Sequence, residues 1–167
     1  MVTFCYFGNP LLRKQSVAVT QFNPELRLFI DEMVVAMREK DGVGLAAPQV
    51  NRSIRLAVII GPEENDPPYV LVNPVITWLS SETAESDEGC LSVPEITLAV
   101  LRPVSVSVSA QDATGRPFTI EKAEGILSRA LQHEIDHLNG IMFVDRVSPV
   151  KRQMINGKLK KISKGDF

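Results

Sequence analysis

The sequence predicts an α+β fold, with mixed and antiparallel strands around a central helix and further helices toward the N- and C-termini. Two stretches, residues 24–40 and 122–138, repeat apolar residues at three-and-four spacing, the mark of a helix with one buried face. Between them Val104, Val106 and Val108 alternate with Ser105, Ser107 and Ser109, the two-residue period of a strand. The chain has 167 residues, 44% hydrophobic and 23% charged, a globular balance sufficient for one domain over residues 1–167.

Taken in order, the first helix runs from Pro24 to Lys40. Asn23 can cap it, Pro24 suits its first turn, and Leu26, Phe29, Ile30, Met33, Val34 and Met37 form its apolar face. Asp41-Gly42 stops it, and GVGLAAPQVN is too rich in Gly and Pro to continue it. Ile54–Ile60 is a short β-branched strand, and Gly61–Pro68 is a polar loop. Tyr69–Asn73 and Val75–Leu79 read as strands on either side of Pro74. Residues 104–109 lead through a turn at Asp112–Gly115 to a returning strand, Phe118–Glu121. The central helix spans Lys122–Leu138, broadly apolar through Ala123, Ile126, Leu127, Ala130, Leu131 and Ile135, and stops at Asn139-Gly140. A third helix begins at Ser148-Pro149 and reaches about Ser163, weakened by Gly157.

Eighteen basic against twenty acidic residues give a net charge of −2, which argues against a polycation built for nucleic acid; no DNA partner is expected. No apolar run approaches the roughly 18 residues of a membrane span, so no membrane partner is expected either. The N-terminus lacks the pattern of a signal peptide, so a cytoplasmic location is expected. There a structural disulfide between Cys5 and Cys90 is disfavoured, and Cys5 reads as a small buried hydrophobe.

The chemistry concentrates in the central helix. His133-Glu134-Ile135-Asp136-His137 places two imidazoles four residues apart, about 6 Å along the axis, where both can reach one metal ion. Glu134 between them can touch a water without ligating. Two histidines and a glutamate on an apolar helix are costly to bury without a purpose. The third ligand is not downstream in the usual form: no Glu follows Glu134 and no His follows His137, leaving Asp145 as a weak candidate. Cys90, in EGCLSVP, is the better one, with Gly89 expected to permit an unusual backbone geometry. A Cys-His-His set leaves a fourth tetrahedral position for water, as a catalytic site requires. The segment Gly42–Val50 reads either as a tight turn after a helix or as a place where backbone approaches a ligand, with Gln49 offering an amide donor.

These three segments together resemble the peptide deformylases, which show GxGxAAxQ, EGCxS and HExDH in that order. This chain has GVGLAAPQ at 42–49, EGCLS at 88–92 and HEIDH at 133–137, and GNPLLRK at 8–14 is similar to the family's N-terminal segment. The resemblance implies an α+β fold around a metal-binding helix, and hydrolysis of the formyl group from N-formylmethionyl nascent peptides. It implies that Cys90, His133 and His137 bind the metal and that Glu134 is general base and then acid. Gln49 and the backbone N–H of Leu91 would face the oxyanion, and Gly44 would contact a substrate lying like an added strand. Val43, Ile126, Arg129 and Ala130 would line or border the methionine pocket. Softness alone suits the ligand set to Zn²⁺. The family implies one Fe²⁺ per chain, replaceable by Zn²⁺ or Ni²⁺. Asp136 is either the acceptor for a ligating histidine or a partner of a residue such as Arg102. Many bacterial members carry Arg near position 97, where this chain has Thr97.

Residues 151–167 carry six basic side chains against Asp166. Such a helix is either a solvated face or, as the resemblance implies, a docking element for ribosomal RNA. The rival enzyme class is an HExxH metalloprotease using Asp145, and the rival non-enzyme is a structural metal protein with no open position.

Overall fold

The computed structural model describes residues 2–61, 63 and 66–167. Within the expected loop 61–68, Pro62, Glu64 and Asn65 lie outside the described residues. Among those described, the chain forms three α-helices and seven strands in two sheets.

Helix α1, Pro24–Glu39, begins where the Asn23 side chain accepts from the Leu26 N–H at 2.9 Å, so one orphan donor of the first turn is satisfied. Its apolar face buries Leu26, Phe29, Ile30, Met33 and Met37 against Leu45, Leu56, Val58 and Val72. The first sheet has the order β1 (Gly44–Ala46), β2 (Leu56–Ile59), β3 (Tyr69–Leu79), β6 (Val106–Gln111) and β7 (Pro117–Ala123). All its ladders are antiparallel; the parallel component is an isolated bridge, Val17 to Ile54.

The two short strands expected around Pro74 form one strand, β3. Its register shifts between Val72 and Val75, and Asn73 takes a φ of 52°. A bulge thus absorbs the proline, whose missing N–H cannot join a regular ladder. The Asn73 side chain stitches the bulge to Val19 and Gln111.

The second sheet is a hairpin of β4 (Thr83–Cys90) and β5 (Val93–Pro103), which the sequence pattern did not predict. Nearly every β4 residue is exposed, so no apolar alternation marks it. Gly89 does not have a positive φ, contrary to expectation; the irregularity is a register shift between Glu88 and Cys90.

Helix α2 spans Gly125–Leu138 and not 122–138. Val106 pairs with Ala123, so the ladder claims residues 122–123, and Gly125 at φ 59° turns the chain into the helix. Leu131 and Ile135 pack on Ile59, Leu71, Val106 and Val108. From Ala130 to Leu138 every residue is buried, which makes α2 the central element. Helix α3, Pro149–Ile162, continues through Gly157 because Ile155, Leu159 and Ile162 anchor it against Leu12, Val93, Val100 and Phe143. No helix is long and apolar enough to cross a membrane among the described residues.

Candidate metal centre and substrate cavity

Two elements deliver the three donors. Helix α2 presents His133 and His137, and the end of β4 presents Cys90. One Cys sulfur and one nitrogen from each ring all lie within 4.8 Å of one another. The Cys90 Sγ is 3.3 Å from His137 Nε2. A sulfur and a nitrogen bound tetrahedrally to one ion sit about 3.6 Å apart, so the donor set has the spacing a divalent metal demands. Cys90, His133 and His137 are the metal-capable group of His, Cys, Asp and Glu found among the described residues. Asp145 is elsewhere, accepting from Arg13 and from the Met142 N–H at 2.9 Å.

Glu134 is 3% exposed, and its Oε2 is buried without a hydrogen-bond partner. An orphaned carboxylate oxygen beside three convergent soft donors is costly unless a ligand or cation meets it. Burial raises its carboxyl to about 7 in the polypeptide alone, with His133 opposing and Glu88 adding. Gly44 makes room for it: a Cβ there would lie 2.5 Å from Glu134 Oε1. Gly44 is therefore a steric requirement of the glutamate and not only part of a turn.

Gln49 sits on a short 3-10 turn, residues 47–50, and is 2% exposed. Its Oε1 accepts from Ala46 N–H at 2.8 Å, which turns its Nε2 toward Cys90 Sγ at 3.4 Å and Ser92 Oγ at 3.3 Å. The amide donor thus faces the metal centre. Leu91 follows Cys90 directly and packs beside α1.

Behind the site lies a buried charge network, of which the sequence reading named the Asp136–Arg102 pair as one alternative and missed Glu88. Glu88 Oε2 is 2.9 Å from His133 Nδ1, fixing the ring and leaving its other nitrogen for a metal. Arg102, on β5, donates to Glu88 Oε2 at 2.9 Å and to Asp136 Oδ2 at 2.8 Å. Burial raises the Glu88 carboxyl, but the hydrogen bonds and charges of Arg102 and His133 outweigh it and hold the group well below the usual range. Asp136 thus pairs with Arg102 and also Arg146. At His133 burial favours the neutral ring, yet Cys90 and Glu88 outweigh it and raise the pKa. At His137 burial, with the charge of His133 adding to it, lowers the pKa. Glu88 lies two residues before Cys90, but the register shift between them breaks the regular alternation that would have linked the two in sequence.

A cavity of about 710 Å³ opens over the centre. Val43, Gly44, Gln49, Cys90, Leu91, Ile126, Arg129, Ala130, His133 and Glu134 all line it; His137 does not and lies behind at 1% exposure. Thr97 lines it too. Arg129 is committed elsewhere, donating to Glu88 Oε1 at 2.8 Å and to the Val100 and Ala84 carbonyls.

A helix carrying HExxH, met by a strand cysteine under an open cavity, defines a metal-dependent hydrolase on an α+β scaffold. The family model for polypeptide deformylase matches residues 1–153. Peptide deformylase of Brucella suis is 43% identical over 157 residues, covering 93% of this chain and 89% of its own. That of Thermotoga maritima is 41% identical, covering 95% and 94%. Among solved structures, a peptide deformylase from Legionella pneumophila superposes with a TM-score of 0.91 at 42% identity, covering 98% of this chain and 96% of that one. Peptide deformylase 1B of Arabidopsis thaliana, in complex with an inhibitor, gives 0.91 at 36% identity, covering 97% and 90%. The chain belongs to the polypeptide deformylase family, metal-dependent hydrolases that remove the N-formyl group from nascent peptides.

Proposed function

We propose that Cys90, His133 and His137 hold one Fe²⁺ ion and that Glu134 carries the proton of the deformylation reaction. The observation that supports this best is the partnerless, buried Glu134 oxygen beside a sulfur and two ring nitrogens at metal spacing. When bound, the ion supplies Lewis acidity and brings the pKa of water from 15.7 toward ~7.

The chain's own residues do the rest. Glu134 accepts a proton from the attacking water as its oxygen bonds to the formyl carbon. Charge then gathers on the formyl oxygen, and the Gln49 Nε2 and the Leu91 N–H face it; one such donor is worth about 3 kcal/mol. The bond from carbon to the methionine nitrogen breaks as Glu134 returns the proton to that nitrogen, releasing formate and a free amine. Gly44 backbone holds the peptide as an extended strand, and Val43, Ile126, Arg129 and Ala130 border the methionine side chain. Arg129 does so through its aliphatic stem, since its guanidinium is engaged.

Fe²⁺ is the working ion, with Zn²⁺ or Ni²⁺ its substitutes in purified protein; thiolate ligation makes the iron form oxygen-sensitive. The enzyme works in the cytoplasm on chains leaving the ribosome, and α3 is its contact with ribosomal RNA. Lys158, Lys160, Lys161 and Lys164 are exposed, whereas Lys151 and Arg152 pair with Glu85 and Asp145. Anaerobic incubation with a formyl-methionyl peptide tests the assignment. Formate appears, stops with chelator, and is restored best by Fe²⁺; Cys90→Ala abolishes metal retention. Formate release by metal-free Cys90→Ala would overturn it.

A further inference from the structure

We propose that Phe167, seated on Tyr6, forms a distal wall of the substrate cavity and selects apolar side chains downstream of the formylated methionine. The inference rests on the reading that this cavity takes formyl peptides, and it adds a specificity-determining residue outside the motifs.

The residues after α3 are folded back by design. Asp166 N–H bonds to Lys161 O at 3.0 Å and Gly165 N–H to Ile162 O at 3.0 Å, with Gly165 at φ 80°. This paired closure with a left-handed glycine is a Schellman motif, which reverses the chain at a helix end. The reversed segment lands on residues 5–9. A Cβ on Gly8 would come within 2.6 Å of Ser163 Cβ, so glycine permits the approach. The rings of Tyr6 and Phe167 stack at 4.5 Å between centroids, tilted by 54°.

Tyr6 is itself tied to the site. Cys5 N–H bonds to Gln49 O at 2.7 Å and Phe7 N–H to Ser92 O at 2.8 Å, so the backbone around Tyr6 bridges two segments that flank the metal centre. Tyr6 and Phe167 therefore line the same cavity as Glu134 and His133. Phe167 remains 53% exposed, an apolar surface covered on one side and open on the other. With the formyl group at Glu134 and the methionine bordered by Ile126 and Ala130, this surface is left for residues further along the peptide. An aromatic wall rewards apolar side chains and offers polar ones nothing.

The test compares KM for formyl-Met-Ala, formyl-Met-Ala-Leu-Leu-Ser and formyl-Met-Ala-Ser-Ser-Ser, using the iron-loaded full chain. Wild type is expected to show a KM several-fold lower for the Leu-Leu peptide than for the Ser-Ser peptide. Phe167→Ala brings that ratio close to one, and Phe167→Leu restores most of it. Equal KM for the two long peptides in wild type overturns the proposal, as does a preference that survives Phe167→Ala. So does a rise in KM for formyl-Met-Ala matching that for the Leu-Leu peptide, since Phe167 would then act on the whole site. Absence of formate from formyl-Met-Ala with wild-type enzyme would strike the functional reading instead.

Discussion

Gly44 and Glu134 compete for one space, and that contact decides what either residue can be. Gly44→Ala drives a methyl group to within 2.5 Å of a carboxylate oxygen, and the carboxylate has to move. Formate release is expected to fall at least tenfold while metal content, read by elemental analysis, stays at one ion per chain. Glu134→Ala removes the proposed proton carrier outright, so turnover should drop by about 10²–10⁴-fold, again with metal retained. Glu88 acts one step back. Glu88→Gln keeps the shape but weakens the hold on His133 and leaves Arg102 undercompensated in a buried site. Competition with a chromogenic chelator should show metal affinity reduced by about 10–100-fold. The histidine pair was legible from its four-residue spacing, and Cys90 was the better of two candidates for a third donor; the expected roles of Gln49, Leu91 and Gly44 came from the three motifs taken together as a family resemblance. The supporting charges were not. Arg102 was named only as a possible partner of Asp136 and Arg129 only as a border of the methionine pocket; Glu88, which joins both to His133, looks in sequence like an ordinary surface residue.

Elements differed in legibility for physical reasons. Helix α1 could be read to within a residue because its start is encoded locally, by Asn23 and Pro24, and its face by spacing. Helix α2 was read three residues too early, since a strand ladder outcompetes helix propensity at Lys122 and Ala123. The hairpin of β4 and β5 escaped because β4 is held by its partner strand and by the buried charge of Glu88, with no alternating apolar face to mark it. Asp145 illustrates a join between elements. It receives Arg13 from the N-terminal turn and Arg152 from α3. Burial pushes its carboxyl up, but Arg13, the Met142 N–H and Arg152 outweigh that and hold it below the ordinary value. A depressed pKa means stability present above the unfolded value of about 3.9 and lost as pH falls through the folded one. Arg13 and Asp145 are both about a third or more exposed, so screening limits the gain. Asp145→Asn should therefore lower unfolding free energy by under about 1 kcal/mol at pH 7, and the gap should close in denaturant titrations as pH falls through the depressed folded-state value.

At the scale of the molecule, the charge of −2 conceals a polarised surface, with residues 151–167 carrying an excess of positive charge. Replacing Lys158, Lys160, Lys161 and Lys164 with Gln should weaken ribosome co-sedimentation at low salt, and wild-type binding should fade as salt rises. Co-sedimentation equal to wild type would remove α3 from that role. The two sheets share no ladder among the described residues, yet each contributes to one centre: Cys90 closes the hairpin, while the histidines ride on a helix bedded in the larger sheet. An ion held as proposed would be a rivet as well as a reagent. Drawing it out with chelator should let amide protons at the 88–93 end of the hairpin exchange with deuterium sooner, while those of β2 and β3 keep their pace, so that an enzyme starved of metal loosens first along the seam where it works.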